Sequence, residues 1–103
     1  MVKDINDSNF QEEVKNGTVV VDFWAAWCGP CKMLGPVIND LSEELNDRAK
    51  FVKVNVDENP VTASQYKIAS IPTVLVFKEG NIAETLVGFR PKAAIKEVLQ
   101  KHI

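Results

Sequence analysis

The strongest constraint on the fold is a largely apolar run, Thr18–Ala25, in which β-branched and aromatic residues follow one another without regular polar alternation. A strand with apolar side chains on both faces must be covered on both faces, as is a central strand of an α/β sheet. One acidic residue, Asp22, lies inside this run, and two cysteines, Cys28 and Cys31, follow it closely. The sequence therefore predicts a sheet with helices on both sides and unusual residues near the end of its central strand.

A long helix is predicted to follow the central strand. From Cys28 to about Leu45, apolar residues recur at three- and four-residue spacing, as they do on the buried face of an amphipathic helix. Pro36 lies inside this segment and lacks a backbone N–H, so we expect the helix to bend there. Cys31 then falls in the first turn of the helix.

Shorter elements complete an alternating pattern. Capping side chains ahead of Phe10, an Asn-Pro pair at residues 59–60, and Pro91 predict three further helix starts. We expect one domain over residues 1–103, with an α/β fold in the order β-α-β-α-β-α-β-β-α, in which four helices flank a five-stranded mixed sheet. Strands separated by helices are expected to pair in parallel, and the final hairpin to be antiparallel. The predicted strands are Val2–Ile5, Thr18–Ala25, Phe51–Val56, Ile71–Phe77 and Ile82–Val87, the last two joined by a turn at residues 79–81.

Charge and hydropathy limit the kinds of partner that the chain can bind and indicate its location in the cell. The chain has 12 basic and 14 acidic residues, a formal net charge of −2, and no basic cluster, so we expect no nucleic acid partner. It lacks an 18-residue apolar stretch, and its first residues lack the pattern of a signal peptide. We therefore expect no membrane association and a reducing, cytoplasmic location, where two cysteines would not form a lasting structural bridge.

Three interpretations of Cys28 and Cys31 compete. As a structural disulfide, a loop of about four residues would stabilise the fold by only ~2 kcal/mol in the chain-entropy model. As a zinc site, the pair supplies two of the four ligands required, and His102 is the only histidine. As a redox pair, a Cys-x-x-Cys sequence at a helix start fits the chemistry of reactive thiols. The redox interpretation is favoured.

A helix start supplies what a reactive thiol requires. Positions i and i+3 of a first turn lie on one face, so the two sulfurs can join or separate with little backbone movement. Unpaired N–H groups and the positive end of the helix dipole favour the thiolate of the first cysteine. We therefore expect an exposed Cys28 to attack and a more sheltered Cys31 to resolve.

The residues around the cysteines resemble the active-site region of the thioredoxin family. This match covers Val21–Met33, and further segments follow in the family's order along nearly the whole chain. A Cys-x-x-Cys sequence alone is a moderate signal, but these segments together are a strong one. The further segments are Asp57-Glu58-Asn59-Pro60, Tyr66, Ile71-Pro72-Thr73, Phe77-Lys78-Glu79-Gly80 and Val87-Gly88.

The resemblance implies roles for the pair and its surroundings. Cys28 matches the family's nucleophile and Cys31 its resolving cysteine, and the two form a disulfide when oxidised. Pro72 matches a proline that is cis in this fold and faces the disulfide. Ile71 matches the position whose backbone binds an extended substrate segment. The apolar docking surface of the family is matched by Trp27, Gly29, Pro30, Val87 and Gly88.

Two charged residues are implied to assist the cysteines. Asp22 matches a buried carboxylate beneath the pair, and Lys53 matches a lysine beside that carboxylate. From the residues alone, Asp22 could also be an ordinary strand-end acid and Lys53 a solvated surface residue. The position of Asp22 inside an apolar run, six residues before Cys28, favours the buried, functional interpretation.

The favoured function is that of a general protein-disulfide reductase. The reduced pair would transfer electrons to disulfide-containing substrate proteins. A separate enzyme, thioredoxin reductase, would restore the dithiol, because the chain has no Gly-x-Gly-x-x-Gly stretch with which to bind a dinucleotide. We expect no bound cofactor, no metal and a monomer.

Two other functions stay open at this point. One is a disulfide oxidase or isomerase on the same fold, although such relatives usually carry a histidine between the cysteines and enter an oxidising compartment. Gly29-Pro30 and the absence of a leader argue against it. The other is a docking module without catalytic activity, which would use the apolar residues around Trp27.

Overall fold

The computed structural model describes residues 1–103 and has the predicted order of elements. Helix α2 begins at Gly29, one residue later than predicted, and most strand ends differ from the prediction by one or two residues. No helix combines the length and the apolarity that a membrane crossing requires. The elements are β1 (Lys3–Asp4), α1 (Phe10–Val14), β2 (Thr18–Trp24), α2 (Gly29–Glu44), β3 (Lys50–Asn55), α3 (Pro60–Gln65), β4 (Thr73–Lys78), β5 (Asn81–Val87) and α4 (Lys92–Leu99).

The sheet has five strands in the order β1-β3-β2-β4-β5, so β2 is its central strand, as predicted. Six of the seven residues of β2 are buried, which agrees with its lack of polar alternation. β1 and β2 each pair in parallel with β3, and the hairpin of β4 and β5 is antiparallel. The mixed five-stranded α/β fold is therefore confirmed.

The prediction that all strands separated by helices pair in parallel is wrong for β4. This strand runs antiparallel to β2, with Thr73 opposite Phe23 and Lys78 opposite Thr18. The connection from β3 to β4 contains α3, whose six residues extend about 9 Å, less than half the ~20 Å of a six-residue strand. The helix therefore does not carry the chain back to the other end of the sheet, and β4 begins at the edge where β3 ends.

Apolar side chains fill both faces of the sheet. One layer packs against α2 and α4 and includes Val20, and the other packs against α1 and the end of α3 and includes Val19 and Val21. Asp22 alternates with Val21 along β2 and therefore lies on the same face as Val20, beneath α2. The largest fully buried side chains are those of Phe10, Phe23, Phe77, Leu34, Ile38, Leu41, Ile95 and Leu99.

The start of α3 is correctly predicted at Pro60, but the expected capping side chain is not the one that acts. Asn59 makes no capping hydrogen bond to its own helix. Instead Asp7 accepts hydrogen bonds from the backbone N–H groups of Thr62, at 2.8 Å, and Val61, at 3.3 Å. The Asn59 side chain in turn accepts a hydrogen bond from the backbone N–H of Asp7, at 3.0 Å. The loop before α1 thus anchors α3.

The cysteine pair lies at one edge of the sheet. β2 ends at Trp24, which is in register with the last residue of β3, and β4 begins opposite Phe23. The loop that leaves β2 and the loop that enters β4 therefore meet above this edge. This meeting brings Cys28 close to Ile71, which is 43 residues away along the chain.

Candidate active site

Cys28 and Cys31 form a disulfide across the first turn of α2, with their Cα atoms 5.2 Å apart. Cys28 is the N-cap residue of the helix, with an extended backbone conformation. The backbone N–H of Cys31 donates a hydrogen bond to Cys28 Sγ over 3.2 Å. The orphan N–H groups of a helix start favour negative charge, so this contact distinguishes Cys28 as the sulfur better able to carry it.

The expected difference in exposure between the two cysteines is absent from the oxidised protein. Cys28 and Cys31 are each only 4% exposed. The disulfide holds both sulfurs against Ala25 and the partly buried side chains of Trp24 and Ile71. The asymmetry of the pair therefore lies in hydrogen bonding and in neighbouring charge, not in exposed area.

The loop that enters β4 faces Cys28. The carbonyl oxygen of Ile71 lies 3.8 Å from Cys28 Sγ, and the Ile71–Pro72 peptide bond is cis, as the resemblance implies. The backbone N–H of Gly88 donates to the carbonyl oxygen of Pro72 over 2.8 Å, and Thr73 Oγ1 donates to the carbonyl oxygen of Ser70 over 2.5 Å. These bonds tie the loop to the end of β5 and fix its position beside the disulfide.

Asp22 is a buried carboxylate under the first turn of α2. It is 4% exposed, and its Oδ1 atom has no hydrogen-bond partner within the protein. Burial raises the pKa of Asp22 to about 7, and the positive charge of Lys53 opposes that rise. A cavity of about 370 Å³ joins Asp22 to Cys31, and its wall also includes Gly35 and Lys53. The carboxylate therefore shares an open space with the second cysteine.

Lys53 lies beside Asp22 but makes its ion pair elsewhere. The two residues are in register on neighbouring parallel strands. Lys53 Nζ lies 4.0 Å from Asp4 Oδ1 and 5.5 Å from the centre of the Trp24 ring, and it forms no ion pair within 4.0 Å with Asp22. Lys53 thus acts on Asp22 through the electric field of its charge and not through direct contact.

Exposed residues flank the two cysteines along the chain, and another lies at the end of β5. Trp27 is 70% exposed, and its indole N–H donates to Asp57 Oδ2 over 2.8 Å, which fixes the ring. Gly29 and Pro30 are exposed in the first turn of α2, and Val87 is 53% exposed at the end of β5. Ile71 packs against the cysteine pair, and Gly88 is bonded to Pro72, the residue after Ile71; that all these residues form one docking surface stays a prediction.

Two residues near Asp22, Gly35 and Asp4, carry no signal in the sequence that marks them as part of the site. Gly35 lies one helical turn beyond Cys31, and it lines both the 370 Å³ cavity and a second cavity of about 280 Å³ that also contains Asp22. Asp4 holds Lys53, a contact that depends on strand register and so leaves no local signal. Asp57, the acceptor of the Trp27 indole, belongs to a segment that the resemblance quoted, without a role.

A disulfide at a helix start, beside a buried carboxylate and a fixed loop, can open and close with exchange of two electrons. The fold and this site define a thiol–disulfide oxidoreductase. A family model described as Thioredoxin matches residues 1–101.

Full-length similarity to characterised proteins supports the same class. The chain is 52% identical over 97 residues to the thioredoxin of Bacillus subtilis (strain 168), an alignment that covers 94% of this chain and 93% of that protein. It is 47% identical over 103 residues to the thioredoxin of Listeria monocytogenes serovar 1/2a, with both chains covered completely. It is 48% identical over 99 residues to the thioredoxin of Staphylococcus aureus (strain Mu50 / ATCC 700699), covering 96% and 95% of the two chains. The chain belongs to the thioredoxin family and is a protein-disulfide reductase.

Proposed function

We propose that Cys28 is the attacking thiolate and Cys31 the resolving thiol in the reduction of disulfides in substrate proteins. Cys28 Sγ forms a bond to one substrate sulfur while the substrate S–S bond breaks, and the released sulfur takes up a proton. Cys31 then attacks Cys28 Sγ, which releases the second substrate sulfur and closes the Cys28–Cys31 disulfide. Two electrons pass to the substrate, and the pair is oxidised.

The hydrogen bond from the Cys31 N–H to Cys28 Sγ carries this assignment of roles. In the reduced protein the same donor, together with the positive end of α2, stabilises a thiolate on Cys28. Cys31 lies over the Asp22 carboxylate, whose negative charge disfavours a second anion nearby. Cys28 is therefore the sulfur that ionises first.

Asp22 serves as the base for the second step in this proposal. The Cys31 thiol must lose its proton as it attacks the mixed disulfide, and a base works best when its pKa is close to the working pH. The pKa of Asp22 is raised to about 7 by burial. The cavity that joins Asp22 to Cys31 provides room for the proton to pass directly or through a water molecule.

The surface around the disulfide is proposed to bind an extended segment of the substrate. Ile71 lies outside the strands, and its backbone N–H has no partner within the chain. An extended segment laid beside Ile71 would pair with its free backbone groups, as a strand added to a sheet does. The exposed side chains of Trp27 and Val87 would contact apolar residues of that segment.

Disulfide-containing proteins are the substrates, and thioredoxin reductase returns electrons to the oxidised pair. We further propose that residues 1–103 form one domain that acts as a monomer in the cytoplasm, without a bound metal or cofactor.

The redox equilibrium tests the direction of electron flow. Thioredoxins are established reductants with a potential of about −270 mV, against about −120 mV for a strong disulfide oxidant. We expect this chain to have a reduction potential close to that of other thioredoxins. The reduction potential is measured by equilibrating the protein in glutathione buffers of defined ratio. Samples are quenched with acid and alkylated, and mass spectrometry then gives the fraction in the dithiol form. A potential near that of the oxidant would contradict a reductive role.

Alkylation of the reduced protein tests the roles of the two cysteines. At pH 7, iodoacetamide is expected to modify Cys28 roughly tenfold or more faster than Cys31, since only the thiolate reacts and the helix start favours it at Cys28. Peptide mapping after short reaction times gives both rates. In urea the two rates should converge, because the helix is then absent. Equal rates in the folded protein, or a faster Cys31, would show that the roles are reversed or shared.

A further inference from the structure

A row of three charged residues crosses the sheet next to the active site. Asp4 of β1 is in register with Lys53 of β3, and Lys53 is in register with Asp22 of β2. Residues in register on neighbouring strands point to the same face, and strands lie about 4.8 Å apart. Asp4 and Asp22 therefore flank Lys53 on the α2 side of the sheet, about 10 Å from each other.

The two carboxylates differ in their surroundings. The Asp4 side chain is 73% exposed, that of Lys53 is 37% exposed, and Asp22 is 4% exposed. The Asp4 side chain lies mostly in water, whereas burial penalises the charge of Asp22. Lys53 Nζ lies 4.0 Å from Asp4 and forms no ion pair within that distance with Asp22. The lysine is thus held on the solvent side of the row.

The other groups that face Asp22 do not replace Lys53. From α2, Cys31 and Lys32 line the same cavity, and Lys32 is exposed and forms no ion pair with Asp22. From β4, the residue in register with Asp22 is the apolar Val74. Lys53 is therefore the cation whose position controls the field at Asp22; its ammonium group lies against the Asp4 carboxylate and the Trp24 ring, and Asp4 is the charged group of the two.

We propose that Asp4 is a positioning residue for thiol–disulfide exchange, which holds Lys53 away from Asp22 and so leaves Asp22 unpaired and able to accept the proton of Cys31. The inference rests on the proposed role of Asp22. Without the Asp4 charge, Lys53 turns inward and stabilises the Asp22 carboxylate, which becomes a weaker base. Asp4 touches neither the substrate nor the cysteines, and it acts through Lys53.

Titration of the Asp22 side-chain carbon by ¹³C NMR in the oxidised protein tests the inference directly. In Asp4→Asn, the midpoint is expected to move down by about half a pH unit or more, because the positive charge of Lys53 then lies closer to the Asp22 carboxylate. Glu12→Gln is the matched control, because Glu12 lies on α1 at the other face of the sheet and pairs with Lys15. It removes the same charge and should leave the midpoint in place.

A second comparison asks whether Asp4 acts through Lys53. In a Lys53→Met background, Asp4→Asn should move the Asp22 midpoint by less than half as much as it does in the native background. An unmoved or raised midpoint in Asp4→Asn would overturn the inference. Equal movements in the two backgrounds would also overturn it, because Asp4 would then act on Asp22 directly.

The rate at which the mixed disulfide resolves provides the functional readout. Its pH profile should move to lower pH in Asp4→Asn, in step with the midpoint for Asp22, while substrate affinity stays unchanged. If Asp22→Asn does not slow this step, the proposed base role fails, yet the NMR midpoints still decide whether Asp4 positions Lys53. If Asp22→Asn slows the step and Asp4→Asn leaves the profile in place, the inference about Asp4 fails by itself.

Discussion

Replacing Asp22 with Asn is expected to raise the free energy of unfolding of the oxidised protein. This gain over the native protein should be about 4 kcal/mol larger at pH 8–9 than at pH 3. The side chain keeps its shape but loses the charge that burial penalises. In the folded protein burial raises the pKa of Asp22 to about 7, from its ordinary value of 3.8. Each unit of that difference corresponds to about 1.4 kcal/mol in the free energy of unfolding.

The sign follows from proton binding. Between about pH 4 and pH 7 the folded state keeps the Asp22 proton while the unfolded state releases it, so the native protein loses stability as the pH rises through this interval. Below pH 4 both states are protonated and the cost disappears. Asp22→Asn removes the cost, so the stability gained by the variant should grow across the same interval and level off above pH 7.

The difference in unfolding free energy is measured by urea denaturation of the native protein and of Asp22→Asn. The measurements are made at half-unit steps from pH 3 to pH 9. Subtraction of the two curves cancels the contributions of the other titrating groups. Glu12→Gln removes an exposed carboxylate, and its difference curve should stay nearly flat. A gain for Asp22→Asn that does not depend on pH would mean that Asp22 has the same pKa in the folded and unfolded states, so that burial does not raise it.

The same variant should be slower in catalysis although it is more stable. Positioned general bases contribute on the order of 10²-fold or more to a rate. The resolving step at pH 7 is therefore expected to slow by about that factor in Asp22→Asn and to recover as the pH rises and hydroxide replaces the carboxylate. Unchanged resolution kinetics would reduce Asp22 to a structural residue.

The order of the elements and the position of the reactive pair could be predicted because both depend on local signals. The apolar run around Asp22 predicts a doubly covered strand, and that inference also predicts a buried carboxylate. The helix after Cys28 was predicted from apolar spacing, and the pair's place at its start follows directly. These features depend on short stretches of chain, where periodicity and capping preferences operate.

The features that could not be predicted depend on how distant segments meet. The direction of β4 depends on the short reach of α3, and the partner of Lys53 depends on the register between β1 and β3. The C-terminal segment is another case: the carbonyl oxygen of His102 accepts hydrogen bonds from Thr18 and Lys78, and its ring pairs with Glu84. No pattern around His102 indicates these contacts.

The two cysteines are equally buried, so a difference in exposure does not explain their different roles. Exposure cannot separate them in the oxidised protein, since each is 4% exposed. What separates them is the hydrogen bond that Cys28 Sγ accepts and the carboxylate that lies under Cys31. Both depend on the exact placement of α2 over the sheet, which apolar spacing alone does not define.

Replacing Cys31 with Ser is expected to stop the reaction halfway, with turnover reduced by more than about 10³-fold. A serine hydroxyl is far less acidic than a thiol and would have to form an S–O bond in place of an S–S bond, so the mixed disulfide formed by Cys28 persists even with Asp22 nearby. With a small aromatic disulfide as substrate, the native dithiol should release two thiol equivalents per protein. Cys31→Ser should release one equivalent and keep the other half of the substrate as an adduct on Cys28, visible by mass spectrometry.

Cys28→Ser is the matched control, because it makes the same chemical change three residues earlier in the first turn of α2. Its remaining thiol lies above the Asp22 carboxylate and lacks the hydrogen bond that Cys28 Sγ accepts from the Cys31 N–H. Adduct formation should therefore be slower by roughly tenfold or more than in Cys31→Ser, in line with the stabilisation of an anion at a helix start. If Cys28→Ser forms its adduct faster, Cys31 is the attacking residue. If both variants react at equal rates, the helix start does not distinguish the two sulfurs.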